Sequence, residues 1–187
     1  MNVKNLIEGV KKREPDKERQ LYILLYENLF KVPLTYCADK EEATGVFNYS
    51  MVDIFKNIID FEDEPSLLKW AYRILKNDCI DHVRKKAVYK KKLLYVEADS
   101  VESYSSNDAI SNLNMDEILK CISQLNDTHR LCFVMYELDG MTHKEIADKL
   151  NIKVNTSKWY LAEAKKKLRT IVLRKGITYY PKLKLTL

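Results

Sequence analysis

The chain has 187 residues, enough for one sizeable core or two small ones, and a formal net charge of +5 that permits a nucleic-acid partner without demanding one. Four Gly and four Pro fit a largely helical protein with short connections. The four cysteines, at 37, 79, 121 and 132, have neither metal-ligand nor disulfide-scaffold spacing, and no apolar run reaches membrane-spanning length, so reduced, buried thiols in a cytoplasmic protein are expected.

Residues 1–18 are polar and charged and are expected to be a loose lead-in. From Glu18 to Lys31 the apolar set Leu21, Tyr22, Leu24, Leu25 and Leu29 predicts a helix with a broad buried stripe, which Pro33 interrupts or restarts. A second helix is predicted from Lys40 to about Ile59, with Val46, Phe47, Met51, Ile54, Phe55, Ile58 and Ile59 on its apolar side. Gly45 inside that pattern costs about 1 kcal/mol of helix propensity, so it marks either close packing or a boundary nearer residue 47. Pro65 falls at a helix start, with Asp63 or Glu64 as a cap.

The helix predicted from Pro65 to about Tyr89 carries Leu67, Leu68, Ala71, Ile74, Leu75, Cys79, Ile80 and Val83 on one face. Trp70, Tyr72, Arg73, Lys76, Asn77, His82, Arg84, Lys85 and Lys86 occupy the others. Aromatic and amide groups on a helix that turns basic at its end suit distorted or single-stranded DNA, with rings stacking on bases and lysines holding phosphates. The plainer reading makes Trp70 and Tyr72 core residues and the lysines a solvated helix end.

Residues 96–113 (VEADSVESYSSNDAISNL) change the composition to serine and acid and predict a flexible linker between two domains. Beyond it, Met115 to Gln124 forms a short helix, and Asn126 or Asp127 caps another that runs through Leu138 and ends at Gly140. Thr142 with Glu145 three residues on is a capping box, followed by Ile146, Ala147 and Leu150 and a turn at Asn151. Asn155 or Thr156 can cap the last helix, whose apolar positions are Leu161, Ala164 and Leu168. Its lysines face solvent. A short helix, a tight turn and a basic second helix point to a helix-turn-helix DNA reader, against the alternative of an ordinary helical hairpin. After Gly176 the tail ITYYPKLKLTL has no assignable task.

The expected fold is all-α: two small helical domains, 1–95 and 114–175, joined by the acidic, Ser-rich linker 96–113 and followed by the tail 176–187. The C-terminal domain is a four-helix unit with the helix-turn-helix. No enzyme is expected. His82, His129 and His143 are isolated from one another in sequence, no set of residues has metal-ligand spacing, and no glycine loop is built to cradle a phosphate, so neither cofactor nor metal is called for.

The segments WAYRILKNDCIDHVRKK and LNDTHRLCFVMYELDGMTHKEIADKLNIKVNTSKWYLAEAKKKLR together resemble the extracytoplasmic-function group of bacterial RNA polymerase sigma factors, over about residues 18–172. The resemblance implies a subunit that binds the clamp and flap of core RNA polymerase, melts the promoter −10 element with its first domain and reads the −35 element with its second. It assigns Trp70, Tyr72, Arg73, Asn77, Asp81, Arg84, Lys85, Lys86 and Lys90 to the −10 element and its melting, Asn77 lying near a pocket for an extruded base. It assigns Thr142, Thr156, Lys158, Trp159, Tyr160, Glu163 and Lys166 to the −35 element, with Lys158 and Lys166 on phosphates and Trp159, Tyr160 and Glu163 at base edges or methyl groups. Asn48, Met51, Val52 and Phe55 would meet polymerase. An anti-sigma partner, often membrane-anchored in this group, is also implied. The chain departs from the common pattern in carrying Gly45, Asn48 and Tyr49 where acids and glutamine are usual, and Glu163 where arginine is usual. The stretch W-Y-L-x-E-A-K-K-K-L is similar to the Bacteroidetes kind. The runner-up is a conventional helix-turn-helix regulator with an N-terminal sensing or dimerisation domain, and a polymerase-binding decoy is a third.

Overall fold

A computed structural model describes residues 3–61, 66–93 and 115–174, and every element among them is helical. The chain divides into two compact units, Met1–His82 and Val83–Leu187, with the division falling inside a long helix. The linker 96–113, the tail 176–187 and the cap expected at Asp63 or Glu64 lie outside the described residues.

The first unit begins with a helix where a loose lead-in was expected. In α1 (Val3–Lys11), Leu6 and Val10 sit four residues apart on one face and are 1% and 2% exposed. That face packs on α2 (Pro15–Leu29) and on a 3-10 turn at Ile58–Asp60, and Lys11 Nζ donates to the Phe61 carbonyl at 3.0 Å. The second helix starts at Pro15 rather than Glu18, because the first helical position needs no N–H. Leu21, Leu25 and Leu29 form its buried stripe. Pro33 lies in the first turn of α3 (Lys31–Tyr36), where the helix restarts.

Asp39 accepts from the Glu42 N–H and opens α4 (Lys40–Asn57). Its buried residues include Val46, Phe47, Met51 and Ile54. Phe47 makes edge-on contacts with Tyr22, Tyr26 and Phe30 at 5.5–5.7 Å between ring centres, which fixes α4 against the end of α2. Gly45 marks neither close packing nor a boundary. It sits inside the helix, exposed, and a Cβ there would meet nothing within 4 Å. The long helix is α5 (Leu67–Leu93), whose stripe Leu67, Ala71, Leu75, Cys79 and Val83 is buried as expected.

The second unit contains α6 (Met115–Ser123), α7 (Asp127–Phe133), α8 (His143–Leu150) and α9 (Val154–Arg174). The last of these packs on the other three. Asn126, not Asp127, is the cap of α7, its side chain accepting from the His129 N–H at 3.0 Å. The helix expected to run unbroken to Leu138 widens instead into a π turn at Val134–Leu138, with Asp139 N–H donating back five residues to the Val134 carbonyl. Gly140, at φ +69°, ends it. The Thr142–Glu145 capping box forms in full, and Asn151 turns the chain at φ 52°. Because α9 already starts at Val154, Asn155 and Thr156 fall within its first turn rather than capping it.

Arg130, which carries no local signal in the sequence, holds the α6–α7 corner. Arg130 is 1% exposed, and its guanidinium donates to the carbonyls of Ser123 (3.1 Å) and Leu125 (2.7 Å) and to Asp127 Oδ1 (2.6 Å). Removing one partner of such a buried pair strands the other. Arg130→Ala is therefore expected to destabilise the second unit by about 3–5 kcal/mol, read by denaturant unfolding followed through Trp159. Gly45→Ala is expected to raise stability by about 0.5–1 kcal/mol, seen as a higher melting temperature, since it adds a good helix former without a clash.

Candidate nucleic-acid interface

In the first unit α5 turns one side outward. Arg73, Asn77 and Asp81 recur every four residues and are exposed, with Tyr72 beside them; one turn on, past the division between the units, Lys85 is exposed and Lys86 half-buried. For Trp70 the plainer of the two readings holds, as a core residue rather than an exposed ring: it is 8% exposed and packs on Phe61 with ring centres 4.9 Å apart. It neighbours Ala71 on the edge of the apolar stripe, and Phe61 extends that stripe to cover it. His82 turns to α4, where Nε2 lies 3.0 Å from Glu42 Oε1. The other Glu42 oxygen accepts from the Ala38 N–H. Arg84, in the second unit, is half-buried and donates to the Lys149 carbonyl at 3.1 Å. The side chain of Lys90 lies outside the described set.

The outward side of α4 carries Asn48, Tyr49 and Val52, the last two 63% and 50% exposed. Of the four residues expected to meet polymerase, Asn48 and Val52 are exposed, Phe55 is half-buried and Met51 is buried. Tyr22 donates its hydroxyl proton to Asn48 Oδ1 at 2.9 Å. Tyr22, expected on the buried stripe of α2, is half-buried beside Asn48, and Tyr49, named above only as a departure from the common pattern, is exposed, because both positions depend on how α2 and α4 meet.

In the second unit Lys158, Trp159 and Lys166 are exposed on α9, and Thr156, Tyr160 and Glu163 are half-buried. Thr142 is exposed and held by Glu145 at the start of α8. Two histidines contact α9 from outside it. His143 Nδ1 is 3.1 Å from the hydroxyl of buried Ser157, and its ring stacks on Tyr136 at 4.5 Å. His129 meets Trp159 and Tyr160 at 5.7 and 5.2 Å. The π turn also aims Glu137 at Lys165, 2.7 Å from Nζ, which takes that lysine out of the free basic face. Among the described residues, no cluster could hold a metal ion, and no helix is long and apolar enough to cross a membrane.

Residues 21–88 match the family described as Sigma-70 region 2, and residues 115–168 match Sigma-70, region 4. The chain is also similar to two proteins of Bacillus subtilis (strain 168). One, the ECF RNA polymerase sigma factor SigW, is 26% identical over 183 residues, covering 90% of this chain and 96% of SigW. The other, the ECF RNA polymerase sigma factor SigM, is 23% identical over 159 residues, covering 83% and 94%. The chain belongs to the sigma-70 family, in its extracytoplasmic-function group. Among solved structures, it is similar to the sigma factor RpoE in its complex with the anti-sigma factor NepR from Bartonella quintana, at 17% identity and a TM-score of 0.47, over 83% of this chain and 96% of that one. As a sigma factor it is not an enzyme.

Both histidines beside α9 of this sigma factor titrate below their ordinary 6.5. Burial is the main cause for each; Lys167 adds to it at His129 against an opposing pull from Glu163, and Lys158 and Lys165 add to it at His143. At these two positions the unfolded chain therefore binds more protons once pH falls below about 6.5, so their contribution to stability is full above that value and declines beneath it. The urea midpoint is expected to be lower at about pH 5.5 than at about pH 7.5, and a double His129→Leu, His143→Leu variant should lose most of that difference.

Proposed function

We propose that this chain is a sigma subunit that binds core RNA polymerase, selects promoters at their −10 and −35 elements and helps to separate the strands. The observation that carries this reading is that one chain holds both a region 2 segment and a region 4 segment, in that order. A conventional regulator needs only the second.

In this reading residues 1–95 form the polymerase-binding and −10 domain, 96–113 the linker, 114–175 the −35 domain and 176–187 a tail. The outward face of α4 docks on the polymerase clamp through Asn48, Tyr49 and Val52, with Met51 and Phe55 supporting them from behind. The outward face of α5 takes the opened strand. Tyr72 offers a ring for a base, Asn77 lies beside the extruded base, and Arg73, Arg84, Lys85, Lys86 and Lys90 hold phosphates. Extrusion costs a few kcal/mol of stacking, which those contacts offset. Trp70 supports that face from within the core.

The α8–turn–α9 segment acts as the helix-turn-helix. Lys158 and Lys166 contact phosphates, Trp159 and Glu163 meet base edges, and Tyr160 backs them. Glu163 favours cytosine, whose N4 donates to a carboxylate. The protein works in the cytoplasm, and an anti-sigma protein, membrane-anchored as in many of the group, holds it inactive. The Bacteroidetes likeness rests on the motif in α9 alone, since both named relatives come from Bacillus subtilis.

The deciding experiment selects promoter DNA from a randomised pool in the presence of core polymerase, read by transcription. Co-elution with core enzyme and enrichment of two spaced elements are expected. Absence of core binding, alongside retained affinity for a palindromic duplex, would select the conventional regulator. In the same assay Lys158→Ala should weaken duplex binding about equally for all sequences and lower the salt slope by about one unit.

A further inference from the structure

His129 joins a helix cap to the exposed face of α9. Asn126 Oδ1 accepts the His129 backbone N–H at 3.0 Å and also lies against Nδ1 of the same residue. A backbone N–H can only donate, so the amide atom facing it is the oxygen, and Nδ1 must then be the protonated ring nitrogen. The imidazole is thus fixed from its own helix. Its other side meets two rings of α9: Tyr160 edge-on, with centres 5.2 Å apart at 80°, and Trp159 tilted, with centres 5.7 Å apart at 58°. The two α9 rings are themselves 5.1 Å apart. His129 is 6% exposed, whereas Trp159 is 55% exposed. The indole is therefore open on its outer side and backed on its inner side by a ring that cannot turn freely.

An exposed side chain on a helix ordinarily exchanges among rotamers, and a contact that needs one of them loses affinity in proportion. Ring pairs of this kind restrict that exchange. We propose that His129 is a positioning residue for −35 recognition, holding Trp159 in the orientation that presents its indole edge and apolar face to thymine methyl groups and base-edge acceptors in the major groove. This rests on the reading of α9 as the recognition helix. The neutral ring suits the role, because an imidazolium beside Lys167 would be repelled from its seat.

The test is selection of −35 sequences with core polymerase, by the full chain and by Trp159→Ala, His129→Leu and His129→Phe variants, with folding checked by circular dichroism. His129→Leu is expected to lose base preference at the same positions as Trp159→Ala, by about threefold to tenfold, with −10 preference unchanged. His129→Phe keeps a ring beneath the indole but cuts its tie to Asn126, so a smaller loss of about twofold to threefold at those positions is expected. In a Trp70→Phe background the remaining indole emission should shift to the red in His129→Leu, reporting a looser, wetter ring. Unchanged −35 preference in a folded His129→Leu, beside altered preference in Trp159→Ala, overturns the proposal; if His129→Leu does not fold, unchanged preference in His129→Phe does so. Unchanged preference in Trp159→Ala removes the contact to be positioned, and the proposal with it, while leaving sigma activity intact. Failure of the unaltered chain to initiate with core enzyme would instead sink the underlying functional reading.

Discussion

The second unit depends on one buried cation. Arg130 satisfies two carbonyls at the end of α6 and the carboxylate of Asp127 in the next turn, so the chain can leave α6, bend and re-enter a helix without stranding polar groups in the core. The same corner carries Asn126, the cap of α7, and through it His129. The helix against which α9 packs most extensively is therefore aimed by a short polar cluster, while apolar side chains such as Phe133, Leu161 and Leu168 supply the burial. Burial supplies affinity between helices. The cluster supplies their angle.

In the first unit the analogous link is Glu42, whose two oxygens serve different elements. One accepts from the Ala38 N–H just before α4, and the other bonds His82 on α5. The start of the helix that turns Asn48, Tyr49 and Val52 outward is thereby tied to the helix with the basic face. For a subunit proposed to hold polymerase on one face and an opened strand on the other, that tie keeps the two faces in fixed relation within one small body.

Much of this was legible in the sequence where local chemistry decides the structure. The Thr142–Glu145 box, the Asn126 cap and the Gly140 stop are each set by a residue and its next few neighbours. The apolar stripes of α4 and α5 follow from helical period. What escaped depends on residues distant in the chain. The first helix is short and polar, and it is held because α2 and the 3-10 turn cover Leu6 and Val10. Trp70 sits at the margin of its stripe, where period alone cannot decide, and Phe61 closes over it. The role of His129 is invisible without α9, which brings two rings to it from thirty positions away. Gly45 misled for another reason: a glycine there has no steric task in this fold, so its cost goes uncompensated by packing.

The widened turn at Val134–Leu138 amounts to a single residue slipped into an α-helix. It swings Tyr136 and Glu137 onto the partners they hold, the ring of His143 and the ammonium of Lys165. Deleting that residue would wind the corner back by one step and leave both side chains pointing past those partners. A shift in length at this joint is thus a way to re-tune how the basic helix is presented while every letter of that helix stays the same.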